Sequence, residues 1–264
     1  MKLTVIGAGN MSTALVDGIV KKGVISGNDI CVTDLDDNKL NIAQSKGIQT
    51  SKNNLEAAKD ADVIIIAVKP NVYPVVVTEL SNLANKENVL FVSIAPGITI
   101  EKIKGWLGFD AKVIRTMPNT PAMVGEGMTI MCYENPVTEQ EYARVRELFE
   151  AVGDVELMNE KMLNSVVALT SSSPAYVYMF IEAMADAAVY DGIPRSTAYK
   201  LAAQAVLGSA KMVLDTGKHP GELKDMVCSP AGTTIRAVKV LEEEGMRAAV
   251  IKAMNACTEK ANNM

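Results

Sequence analysis

The chain has 264 residues, with 26 basic and 31 acidic side chains, 48% hydrophobic residues, 18 glycines and 10 prolines. That composition excludes a disordered, collagen-like or minimal disulfide-stapled protein, and the length allows two domains with a core each. A net charge of −5 and a pI of about 5.1, with no compensating run of Lys and Arg, exclude nucleic acid as a partner.

In chain order, Leu3 to Ile6 reads as a short buried strand, followed by a glycine turn and a helix with Leu15, Val16, Ile19 and Val20 on one face. A second strand, Ile30 to Thr33, ends at Asp34, and a polar helix follows from about Asn38 to Ser45. Val63 to Val68, Val89 to Ser93 and Val113 to Thr116 read as further strands, with helices near 71–84, 99–106 and 138–150. Strands that are apolar throughout, alternating with helices, imply a doubly wound parallel sheet covered on both faces. Ligands of such a sheet sit beyond the carboxyl ends of its strands.

From about Lys161 the texture changes to long Ala-, Met- and Leu-rich segments punctuated by Pro and Gly, which predicts an all-helical second half. Ala175 to Val189 is apolar on nearly every face, more than a small bundle buries alone, so a helical dimer interface is expected there. Glu182 and Asp186 on this stretch form an i, i+4 carboxylate pair, read as solvated or salt-bridged in preference to a general acid and base.

The four cysteines, Cys31, Cys132, Cys228 and Cys257, are scattered with no C-x-x-C pair, so neither a zinc knuckle nor a redox dithiol is expected. They fit a reducing cytoplasm. No secretory leader is read at the start, and the longest apolar run is far short of the roughly 20 residues a membrane span needs. His219 is the only histidine. A His-rich metal site is thereby excluded, and in Lys218-His219-Pro220-Gly221 it reads as a surface or capping residue.

Gly7-x-Gly9-x-x-Ser12 departs from the full dinucleotide fingerprint only at its third position. It follows the first strand and opens a helix, and Asp34 at the end of the next strand lies 22 positions beyond Ser12. Gly7 permits the tight turn, Gly9 lets backbone approach a pyrophosphate, and the helix start receives the negative charge. Asp34 is placed to accept from an adenosine ribose, which favours NADH, with Lys39 a candidate to rescue NADPH; a helix-capping Asp is the alternative. Three more loops follow strands: Val68-Lys69-Pro70, Ser93 to Gly97, and Met117 to Pro121, in which Asn119 offers a donor and an acceptor. Asn54 is within reach of the adenine side. In the helical half, Ser229-Pro230-Ala231-Gly232-Thr233-Thr234 precedes a helical run from Ile235 to Glu244 and reads as a second anion site suited to a carboxylate, or as an ordinary cap.

Taken together, Gly7-Ala8-Gly9-Asn10-Met11, Val68-Lys69-Pro70, Met117 to Pro121, Pro174-Ala175-Tyr176 and the long block from His219 to Ile235 resemble the pyrroline-5-carboxylate reductases along essentially the whole chain. Two departures are visible: Ser171-Ser172-Ser173 stands where the family usually has glycines, and Ala231 where it often has Gly. The resemblance implies an N-terminal Rossmann-like domain, 1–158, and an all-helical dimerisation and substrate-binding domain, 159–264. It implies NAD(P)H-dependent reduction of a cyclic imine, Δ1-pyrroline-5-carboxylate, to L-proline. By similarity, Gly232, Thr233 and Thr234 hold the substrate carboxylate, the Thr234 hydroxyl lies near the ring nitrogen, and Glu160 lines the pocket. Asn54, Ala95 and the Gly7–Met11 turn, with Gly9 and Asn10, match coenzyme positions. An intertwined homodimer with active sites assembled from two chains is implied, and larger rings of dimers occur in the family. No metal is required, since a protonated iminium is already electrophilic. Two rivals remain. A β-hydroxyacid dehydrogenase needs a lysine four residues before an Asn, whereas Lys161 and Asn164 are three apart; the other is a non-catalytic nucleotide-sensing module.

Overall fold

The computed structural model describes residues 1–263. The chain divides into two compact units: Met1–Ser171 together with the last residues from Ala261, and Ser172–Lys260.

The first unit alternates strands and helices. In order these are β1 (Leu3–Ile6), α1 (Asn10–Lys21), β2 (Ile30–Thr33), α2 (Asp37–Ser45), β3 (Gln49–Ser51), α3 (Asn54–Ala58), β4 (Val63–Ile66), α4 (Tyr73–Leu80), β5 (Leu90–Ser93) and α5 (Ile100–Leu107). They continue as β6 (Lys112–Met117), β7 (Gly127–Tyr133), α6 (Glu139–Glu150), β8 (Gly153–Leu157) and the short α7 (Leu163–Val166), which runs into a π-helical turn at Val167–Ser171. One eight-stranded sheet results, in the order β3-β2-β1-β4-β5-β6-β7-β8. Chain order reverses beside β1, where β2 lies on one side and β4 on the other, and a crevice opens at such a switch point.

The strands bury alternate residues on opposite faces, as a period of two requires. Leu3, Val5, Val63 and Ile65 pack beneath α1 and α6 with Leu15, Ile19 and Phe149. Ile6, Ile64, Ile66 and Phe91 pack on the other face with Tyr73, Leu80 and Ile103 of α4 and α5. Each fully buried Leu, Ile or Phe contributes about 1.5–3 kcal/mol relative to exposure, so two-sided burial is what fixes the strand ends that carry the loops.

The expectation of a wholly parallel sheet is corrected at one edge. β7 runs antiparallel to β6, with Arg115 opposite Cys132, while every other neighbouring pair is parallel. The antiparallel return is short because a 3₁₀ turn at Thr120–Val124 replaces a helical crossover. β3, β7 and β8 were not anticipated. β3 is short and incompletely buried, and β8 shows only one buried residue, so neither has a continuous apolar run.

The boundary between units, Ser171/Ser172, lies beyond the expected 158/159. Leu163 and Val166 are buried in the core beneath the sheet, which ties the start of the helical half to the first unit.

The second unit is helical: α8 (Ser173–Tyr190), α9 (Arg195–Thr216), α10 (Pro220–Met226), α11 (Thr233–Glu243) and most of α12 (Met246–Asn262). α8 packs on α9, yet Ala185 is the one residue of α8 that is fully buried; Tyr178, Met179 and Phe180 are exposed by 60%, 69% and 40%. Asp186 of the carboxylate pair is salt-bridged to Arg195. His219 caps α10, its Nδ1 accepting the Gly221 N–H at 3.0 Å.

Candidate functional site

In the first unit, candidate residues gather on loops that leave the carboxyl ends of the strands. Gly7 has φ +105°, donates its N–H to Thr33 O at 2.7 Å, and would place a Cβ 2.8 Å from the Ala67 carbonyl oxygen. Only glycine fits that turn. Gly9 is the N-cap of α1, with no atom within 4 Å of where a Cβ would stand and no side chain capping the helix. The first N–H groups of α1, from exposed Asn10 and half-buried Met11, therefore face open space with the positive end of the helix dipole behind them. Ser12, at the irregular third position, turns inward and donates to Gly9 O at 3.0 Å. A cleft of about 1000 Å³ opens beside Ala8, Gly9 and Asn10 and is also lined by Lys39.

Asp34 does not cap α2; Asp36 does, accepting the Asn38 N–H. Asp34 instead accepts the Ala8 N–H at 2.8 Å and the Asp36 N–H at 3.0 Å, and pairs with Lys39 at 3.2 Å. Burial pulls its carboxyl upward, but these donors outweigh it and hold the group below the usual carboxylate range. Asn54 accepts from the Thr33 hydroxyl at 2.7 Å and donates to Glu79 at 2.9 Å, so its side chain is braced across β2 and α4. Val68 is half-buried against the core, Lys69 and Pro70 are exposed, and Ala95 is buried at the end of β5.

Asn119 uses both its donor and its acceptor within the fold. Its Nδ2 donates to Thr170 O in the π-helical turn at 2.9 Å, and its Oδ1 accepts the Met128 N–H at 2.8 Å. Both ends of the amide thus tie the loop after β6 to its neighbours. Glu160 is also a brace: one carboxylate oxygen accepts the Ile100 N–H at the start of α5 at 2.9 Å and pairs with Arg115 at 3.0 Å. Its partner Arg115 was not anticipated, although a charge inside the apolar run of β6 was the signal. Nor was a hydroxyl chain beneath the strand ends, in which Thr116 donates to Ser93 O, the Ser93 hydroxyl to Tyr73, and Tyr73 to Ile66 O. Burial pushes the Tyr73 phenol up to about 12, so it stays a neutral donor.

In the second unit, α11 begins at Thr233 with Gly232 as N-cap and no side-chain cap. A Cβ on Gly232 would lie 2.3 Å from the Ser229 hydroxyl and 3.1 Å from the Ser229 carbonyl oxygen, so a larger residue there would have to turn that hydroxyl aside. The Gly232 N–H is engaged, donating to Ser229 O at 3.0 Å. Thr233 and Thr234 carry the unpartnered N–H positions of the first turn. Thr234 is half-buried.

All four cysteines are free, and burial pushes the Cys132 thiol up to about 12, which leaves it unreactive. Among the described residues no group of three His, Cys, Asp or Glu is placed to hold a metal, and no helix is long and apolar enough to cross a membrane.

Residues 2–97 match the family described as NADP oxidoreductase, coenzyme F420-dependent, and residues 160–264 match pyrroline-5-carboxylate reductase dimerisation. The pyrroline-5-carboxylate reductase of Escherichia coli K12 is 50% identical over 264 residues, covering 100% of this chain and 98% of that protein. That of Arabidopsis thaliana is 42% identical, covering 100% and 95%. A solved pyrroline-5-carboxylate reductase from Coxiella burnetii superposes with a TM-score of 0.94 at 36% identity, over 99% of this chain and 97% of the other. A Plasmodium falciparum pyrroline carboxylate reductase with NADP bound superposes at 0.87 with 30% identity, over 99% and 97%. With half its residues identical to a full-length member and its helical half matched in place, the chain belongs to the pyrroline-5-carboxylate reductase family.

Proposed function

We propose that the chain reduces Δ1-pyrroline-5-carboxylate to L-proline with NADPH or NADH. The observation that carries this reading is a pair of helix starts, one in each unit, with glycine at the N-cap and no side chain capping the first N–H groups. The start of α1 suits a diphosphate and that of α11 a carboxylate. A bound reduced nicotinamide supplies a hydride to the imine carbon, while the iminium nitrogen keeps its proton and becomes the secondary amine.

The chain's own residues bind and align. The N–H groups of Thr233 and Thr234 take the acid group, and the Thr234 hydroxyl orients or relays a proton at the ring nitrogen. Gly7, Gly9, Asn10 and Met11 form the diphosphate turn; Asp34 and Asn54 stand on the adenosine side; Val68, Lys69, Pro70 and Ala95 border the crevice. Asn119 and Glu160 act through the loops they brace. Alignment and exclusion of water provide most of the acceleration, so no metal is needed.

The test is to mix purified protein with pyrroline-5-carboxylate and either reduced coenzyme. Loss of nicotinamide absorbance with matching appearance of proline is expected; no consumption with either coenzyme defeats the reading.

A homodimer is the assembly supported by the helical half, and a ring of dimers is its proposed extension. Light scattering distinguishes twice the 28.2 kDa chain mass from a higher even multiple. Free cysteines support a cytoplasmic setting.

A further inference from the structure

We propose that Asp34 makes this chain selective for NADH over NADPH. The inference deepens the proposed reaction and rests on its coenzyme site.

The corner after β2 carries three carboxylates in four residues, Asp34, Asp36 and Asp37. The two lysines beside it are already paired, Lys39 with Asp34 at 3.2 Å and Lys52 with Asp37 at 2.7 Å. Asp34 is also held. Its Oδ2 accepts the Ala8 N–H, its Oδ1 the Asp36 N–H, and only 16% of its side chain is exposed. An ionised carboxylate offers about four acceptor positions. Three are taken here, which leaves one on Oδ1 for a further donor.

A ribose with free hydroxyls supplies that donor. An ionised 2′-phosphate supplies none and brings up to about two negative charges toward the carboxylate. Asp34 has no retreat, because moving it releases the Ala8 N–H and with it the turn between Gly7 and Gly9. Lys39, 44% exposed, is the cation placed to answer a phosphate, but in doing so it leaves Asp34 unpaired. The same atoms that order the diphosphate turn thus repel the phosphorylated coenzyme.

The experiment is fluorescence titration of NADH and NADPH, without imine, on the wild type, Asp34→Asn, Asp34→Ser and Lys39→Ala. Wild type is expected to bind NADH about tenfold or more tightly than NADPH. Asp34→Asn keeps an acceptor oxygen and removes the charge, and Asp34→Ser removes the carboxylate altogether; both should narrow the ratio about tenfold. Raising salt from about 0.05 to about 0.5 M should narrow it in the wild type and not in Asp34→Asn. Lys39→Ala should weaken NADPH alone. Equal or tighter wild-type binding of NADPH, or a ratio unmoved in both Asp34 variants, overturns the proposal. Binding is read apart from turnover, so an inactive protein with the expected ratio defeats the reaction and leaves the selectivity standing.

Discussion

Ala231 shows how one side chain loads a binding loop with strain. It is the only non-glycine residue at positive φ among the described residues, at +58°, one position before the Gly232 cap. A Cβ in the left-handed region costs roughly 1–2 kcal/mol, so Ala231→Gly should stabilise the protein by about 1 kcal/mol net of the extra chain entropy of glycine. A urea midpoint that stays put or falls would show that the loop carries no such strain. Thr234→Ala, three residues on, should lower turnover more than coenzyme affinity, because its hydroxyl serves the imine and not the dinucleotide. Equal turnover in the two proteins removes that role. These positions were legible in the sequence because they are local: a glycine turn, a small-residue helix start and an acid after a strand each announce their backbone need. Arg115 and the engaged amide of Asn119 were not, since Glu160 lies 45 residues from the one and Thr170 51 from the other, and Tyr73, whose hydroxyl reaches Ile66 seven residues back, shows no partner in the sequence pattern. A residue type states what bonds it can make; packing decides with whom.

At the scale of elements, legibility followed burial. β1, β2, β4 and β5 were readable because burial on both faces demands unbroken apolar runs, and β6 because Arg115 is the one charge within Val113 to Met117; β7 was missed although most of it is buried. β3 and β8 sit at the sheet edges and were lost for want of such a run. α6 was readable at its start, where Thr138 and Glu141 form a reciprocal capping box, with the Glu141 carboxylate also pairing Lys112 at 2.7 Å. Thr138→Ala should cost about 1 kcal/mol in a denaturant midpoint. Burial raises the Glu141 carboxyl, but Lys112 and Thr138 more than offset it and hold the group low. A depressed carboxyl contributes stability that is fully present above its unfolded value and lost as pH falls through its folded one. The urea midpoint should therefore drop on acidification below the ordinary carboxylate range, and drop less in Glu141→Gln; an identical pH profile in both proteins would contradict this. The loop after β6 depends on a different device. Asn119→Ala removes both bonds of a buried amide and strands the Thr170 carbonyl and the Met128 N–H, an expected loss of about 2–3 kcal/mol.

For the whole molecule, the two units differ in how they satisfy their own side chains. The sheet unit buries its apolar runs within itself, on both faces. α8 does not: an 18-residue helix with one fully buried residue leaves Val177, Tyr178, Met179 and Phe180 to water in a single chain. Exposed aromatic and aliphatic area of that extent is covered by association in a folded protein, and residues 160–264 match a dimerisation family. Burying two such side chains per subunit is worth several kcal/mol at about 1.5–3 kcal/mol each, so a monomer should be much less stable than its dimer. Stability then depends on concentration, and Tm should rise with protein concentration as mass action requires. Replacing Met179 and Phe180 together by Glu places two charges per subunit on that face. Such a variant should elute with the 28.2 kDa mass of one chain, melt lower and lose the concentration dependence. If it stays a dimer with an unchanged melting profile, these side chains lie outside the interface and another face of the helical unit must hold the copies together.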